Sequence, residues 1–334
     1  MDRRAVLCLV AAALSGCANS PAGGTPSPRV ITKTVFRTRT PPDPSLAPTP
    51  ASTPPTTTAT ATDTATATST TTQNPTPTQI QSPTISPEVA KVNERISELR
   101  EIIAEMIQVY ASFGTSSSIL DVTAQSSSFS PTEINGLASD AQTILANTTA
   151  QTDDQEQRLT RIEEMVLFLR LSAFSQNSIV RSFEKLTSGK NDAFAGDHDE
   201  AEDMLDGAED SRKNAERNLD LITQRTTAMA TAVTPELSAS DYEMKVDQFQ
   251  SEIGSLGDVR IFLSDFITAD RQLDDARSSC DQSEGVDAAN AFDDLQDDIR
   301  GTDVAGSMED LAREVREEAS NREDEADDIA AGIC

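Results

Sequence analysis

The feature that most constrains this chain is the stretch from Ser86, SPEVAKVNERISELREIIAEMIQVYASF. Its apolar residues fall at Val89, Val92, Ile96, Leu99, Ile103, Met106, Tyr110 and Phe113, a 3-4-3-4-3-4-3 spacing. A strand alternates with period two, whereas this spacing lines up one face of an α-helix and repeats every seven residues. Ile102 and Ile107 broaden the seam into a stripe that needs partner helices. Ser86 is placed as the N-cap, with Pro87 at the first helical position, where a missing N–H costs nothing.

The pattern recurs along the chain. Leu159, Ile162, Val166, Leu169, Ala173, Val180 and Phe183 predict a helix over about 153–187. Ala201, Leu205, Ala208, Ala215, Leu219, Ile222, Met229 and Val233 predict one over about 197–232, with Arg212 and Thr226 on the same stripe. Tyr242, Val246, Phe249, Ile253, Leu256, Val259, Leu263, Phe266 and Leu273 predict one over about 238–281, with Gly254 and Gly257 as points of bending. Shorter helices are expected at 131–148, 286–299 and 303–331. Ser130-Pro131-Thr132-Glu133 reads as a capping box, and Thr302 or Asp303 as the cap of the last helix. Strand alternation is not seen. The expected fold is all-α, an antiparallel bundle of about six to seven long coiled-coil-like helices spanning 86–334. A faint echo, D-x-x-x-A-x-D-x-L at 197–205 and 287–295, fits either a duplicated hairpin at an offset of 90 or coincidence among acidic amphipathic helices.

The residues before the bundle have a different grammar. Arg3 and Arg4 precede ten apolar residues, Ala5 to Leu14, too few for a bilayer span of about 20. Ser15 and Gly16 then supply small side chains, as at an export cleavage site. Leu14-Ser15-Gly16-Cys17 resembles the lipobox of prokaryotic lipoproteins. The resemblance implies cleavage after Gly16 and lipid attachment to the Cys17 thiol, which would hold the chain at a membrane. Arg3-Arg4 ahead of Ala5-Val6-Leu7 is similar to a twin-arginine export signal, with Val6 where phenylalanine is commoner. Residues 17–85 follow as a Thr/Pro-rich tether. Half of the 30 residues from Thr49 to Thr78 are threonine, a composition that builds no core. As a coil such a tether reaches roughly 45 Å, and fully extended about 200 Å. The expected organisation is a signal at 1–16, a stalk at 17–85 and a helical domain at 86–334.

Charge narrows the function. The chain carries 56 acidic and 27 basic residues, a net of −29, with only six lysines and no tryptophan. No basic patch is available for phosphate, so nucleic acid is excluded as a partner. Acid excess with scarce lysine fits a surface adapted to high salt, where a Debye length near 3 Å at ~1 M screens self-repulsion. With the lipobox and twin arginines, the chain resembles surface lipoproteins of halophilic archaea.

Outside the cell, Cys280 and Cys334 are expected to form a disulfide closing a loop of about 54 residues, adding roughly 4 kcal/mol. Asn147-Thr148-Thr149 is an N-glycosylation acceptor expected in an exposed loop. The single histidine, His198, excludes di-iron and blue-copper sites. Its acidic stretch DHDEAED reads as a solvated helix start rather than a metal site, and no cofactor is expected. Glu309→Arg313 and Glu318→Arg322 read as pairs on a solvated face. Nucleophile–base and phosphate-loop motifs are lacking, so the expectation is a non-enzyme. The functional expectation is a lipid-anchored extracellular module with a structural role or an unknown surface protein as partner. The alternative is a solute-binding lipoprotein feeding a transporter.

Overall fold

The seam at 89–113 lies along α1 (Pro87–Ala111), with Val92, Ile96, Leu99, Ile103, Met106 and Tyr110 all buried. The computed structural model describes residues 86–226 and 237–333, so the expectations for Arg3, Arg4, Leu14, Ser15, Gly16, Cys17, Met229, Val233 and Cys334 lie outside the described residues. After α1 come α2 (Thr132–Ala146), α3 (Asp153–Ala195), α4 (His198–Arg225), α5 (Ala239–Ser279), α6 (Gln282–Gly301) and α7 (Gly306–Ala330). The described residues contain these seven helices, one 3₁₀ turn (Ile119–Asp121) and no strand. The expected all-α bundle is what the chain forms.

The two longest helices, α3 and α5, form the centre. α3 packs on α1, α2, α4, α5 and α7, and α5 packs on α3, α4, α6 and α7. One continuous apolar core runs between them, with Phe168, Phe249, Phe266 and Phe292 among its largest fully buried side chains. Each such side chain contributes about 1.5–3 kcal/mol by leaving water.

Helix ends follow local chemistry, and several differ from expectation. Thr152 caps α3 by accepting the Gln155 N–H at 3.3 Å. Gln155 in turn accepts the Gln151 N–H and donates to the Val89 carbonyl and Asn93, tying α3 to α1. α3 runs eight residues past the expected end at 187, through Gly189, until Gly196 turns left-handed at φ 83°. The Ser130 capping box does not form. Pro131 takes the N-cap position in a helical conformation, and the Ser130 hydroxyl donates to Thr132 Oγ1 instead. The box forms at Ser238 and Asp241, at the head of α5. At α7 neither Thr302 nor Asp303 is the cap. Ala305 occupies that position, and its N–H donates to Ser255 Oγ at 2.7 Å, which docks the turn on α5.

The two long hairpins share one design. Gly196 and Cys280 both end a long helix in the left-handed region, and Asp197 and Asp281 follow as N-cap residues. They are 84 residues apart, and so are the buried sets Ala201, Leu205, Ala208, Ser211, Ala215 and Gly285, Ala289, Phe292, Leu295, Ile299. The matching turns stand 84 residues apart, not at the offset of 90 of the motif echo.

Candidate functional site

The segment between α1 and α2, residues 112–131, is the longest described connection and is rich in serine. Connections of this length are uncommon in helical domains without a role. Ile119, Val122, Ala124 and Phe129 bury themselves against the bundle. The Phe129 ring lies 5.1 Å from Tyr110 and 4.9 Å from Phe113.

Beneath this segment lies a charged cluster in the core. Lys245 is 0% exposed and Glu252 3% exposed. Lysine and glutamate are almost never fully buried unless paired. The Lys245 ammonium donates to the Val122 carbonyl at 2.8 Å, Gln176 Oε1 at 2.9 Å and Gln248 Oε1 at 3.1 Å, which uses all three protons. It also lies over the rings of Phe249 and Tyr110, at 4.7 and 5.3 Å. Glu252 Oε1 accepts the Ala124 N–H at 3.2 Å, with Gln248 and Ser307 at 3.4 and 3.5 Å. Tyr110 OH points at Gln176 Oε1 and the Ser172 carbonyl, at 3.3 and 3.4 Å. Burial drives the Lys245 pKa down to about 7, against the opposing pull of Glu252 and Asp121. Burial raises the Glu252 carboxyl, with Lys245 pulling it back, and raises the Tyr110 phenol. The cluster fastens 112–131 to α3, α5 and α7. Its ammonium protons are all committed to acceptors, which suits anchoring rather than proton transfer to a substrate.

A second polar cluster lies at the head of α4. His198 Nε2 is 2.9 Å from Asp270 Oδ2, and Asp270 is 1% exposed. Arg322, from α7, donates to Glu318 Oε1 at 3.0 Å and to the Phe194 carbonyl at 3.1 Å, and its Nη1 lies 3.7 Å from Asp270 Oδ1. Asp199 and Glu202 both pair with Arg271. The DHDEAED stretch is therefore only partly a solvated start, because its histidine turns inward onto α5. The Glu318–Arg322 pair forms as expected, but Arg322 is half-buried rather than on a solvated face. Arg313 pairs with Asp310 and Glu317 rather than Glu309.

The other expected positions are plainly placed. Asn147 is the exposed C-cap residue of α2 and donates to the Thr143 carbonyl at 2.8 Å. Cys280 is exposed with φ 53°. Gly332 lies against Gln282, two residues after Cys280, so that a Cβ added at Gly332 would meet Gln282 Nε2 at 2.6 Å.

None of the described helices is long and apolar enough to cross a membrane. No protein family, no curated protein and no solved structure matches the chain.

Proposed function

We propose that this chain is a lipid-anchored module held outside the cell on a Thr/Pro-rich stalk, and that its helical domain is a structural or partner-binding element of the surface. One observation carries the reading: the order of segments along the chain, with Leu14-Ser15-Gly16-Cys17 first, the tether to residue 85 next and an acidic domain from Ser86 on. The start of α1 at Pro87 supports the tether–domain boundary at that point. The bundle's own chemistry agrees with a passive scaffold. Its innermost charges are spent on holding a connection in place, and its outer arginines are spent on surface carboxylates.

A solute receptor in the usual two-lobed form needs strands flanking a cleft. The all-helical architecture of the described residues favours the scaffold over the receptor.

Cross-linking on intact cells in molar salt, followed by mass spectrometry, tests the proposal. The expected result is a reproducible set of cross-links from the helical domain to a surface component, abolished when residues 86–334 are replaced by an unrelated helical bundle. Surface cross-links that persist with the replacement domain would contradict a specific role for this one.

A further inference from the structure

The only histidine in the chain stands at the first residue of α4, facing α5, where Asp270 and Asp274 sit one turn apart. We propose that His198, Asp270 and Asp274 form a site for a divalent transition cation of the zinc or cobalt class. One ligand atom from each residue lies within 4.8 Å of the others. In a tetrahedral set, ligands on bonds of about 2.0–2.2 Å stand roughly 3.3–3.6 Å apart, so the exposed Asp274 side chain must swing inward to close the set. His198 Nε2 and Asp270 Oδ2 now share a hydrogen bond of 2.9 Å, which an ion seated between them would replace.

The second observation is the state of Asp270. Its side chain is 2% exposed, yet Oδ1 accepts no hydrogen bond. The nearest cation, Arg322 Nη1, is 3.7 Å away, and its short bonds go to Glu318 and Phe194. A buried carboxylate with a single hydrogen-bonding neighbour is under-compensated, and a cation at this point would offset the cost. The surrounding charge agrees. Asp270, Asp274, Asp199, Glu202, Glu318 and Glu325 share only Arg271, Arg277 and Arg322.

Asp274, at 51% side-chain exposure, forms an open rim and accepts from Arg277 Nη1 at 2.5 Å, so the ion enters from solvent, competes with Arg277 for this carboxylate and keeps water in its remaining positions. An imidazole nitrogen with two carboxylates suits zinc, cobalt or nickel, whereas calcium and magnesium prefer all-oxygen sets. The bound ion would brace α4 on α5.

The test is titration of the full chain, stripped with chelator and held in molar KCl, with CoCl₂. The expected result is one equivalent bound, a shift of the single imidazole's proton resonances and displacement by Zn²⁺ but not by Mg²⁺ or Ca²⁺. H198Q, and separately D274N at the exposed rim, should each weaken binding more than about tenfold. Absence of saturable one-to-one binding would overturn the site and leave a histidine–carboxylate pair only. Unchanged binding in H198Q would overturn it equally, by assigning the ion to scattered surface carboxylates.

Discussion

Lys245 illustrates what a single residue decides. Its pKa is about 7 in the folded chain against an ordinary 10.5, so between those values the unfolded chain binds more protons. The contribution of Lys245 to stability is fully present above 10.5 and is lost as pH falls towards about 7. Unfolding free energy should therefore climb with pH over that window, by up to about 1.4 kcal/mol per unit from this one proton. Lys245→Met should flatten the climb, as read from denaturant melts at matched salt. Parallel curves for the two proteins would show that the ammonium is not as desolvated as its three protein acceptors imply.

The sequence carried a trace of both buried clusters. Tyr242, Lys245, Phe249, Glu252 and Leu256 are spaced 3-4-3-4, Leu169, Ala173, Gln176 and Val180 4-3-4, and Leu263, Phe266, Asp270 and Leu273 3-4-3. Each polar residue occupies a core position of its helix. A reading confined to apolar residues passes over them, because polarity alone suggests surface. What no spacing reveals is the partner. One of the three acceptors for Lys245 is a backbone carbonyl 123 residues away, in a connection without periodicity.

At the scale of elements, heptad spacing made each helix legible, while its ends depended on contacts. Thr187-Ser188-Gly189 looks like a stop, yet α3 continues because Gly189 lets α4 approach. A Cβ there would meet the Ala201 carbonyl at 3.3 Å. Gly254 and Gly257 do not interrupt α5. Two glycines should consequently respond in opposite ways. Gly285 in α6 lies against the α7 backbone, where a Cβ would sit 2.8 Å from Ala330 N. Gly285→Ala should force α6 and α7 apart and cost about 1–3 kcal/mol. Gly254 meets nothing within 4 Å, so Gly254→Ala should stabilise by about 1 kcal/mol through helix propensity. Thermal melts of the two variants check the pair, and a destabilised Gly254→Ala would mean that α5 needs its glycine to bend.

The turn after α5 raises a related point. Gly196 fills the left-handed position in one hairpin, but Cys280 fills it in the other, at a cost of about 1–2 kcal/mol. Cys280 is free among the described residues, and its expected partner Cys334 lies outside them. Non-reducing mass spectrometry of the exported protein should find the two peptides joined; two free thiols would refute the bridge.

For the whole molecule, fold class was readable because long helices with short turns leave one arrangement, antiparallel packing around a shared core. Function was less readable, because the segments proposed to give an address are separate from the helical domain. The acid excess should make the fold depend on salt. Helicity by circular dichroism should fall and melting shift down between molar and 0.1 M NaCl, as repulsion among surface carboxylates loses its screening. Full helicity with an unchanged melting point at low salt would remove the case for halophilic adaptation.

We propose that lipid on Cys17 holds the chain at a membrane. Fractionation of cells expressing Cys17→Ser tests it most directly. The wild-type chain should stay with the membrane fraction, and the Cys17→Ser chain should appear in the medium at unchanged total abundance. A Cys17→Ser chain that remains cell-bound in high salt would contradict it.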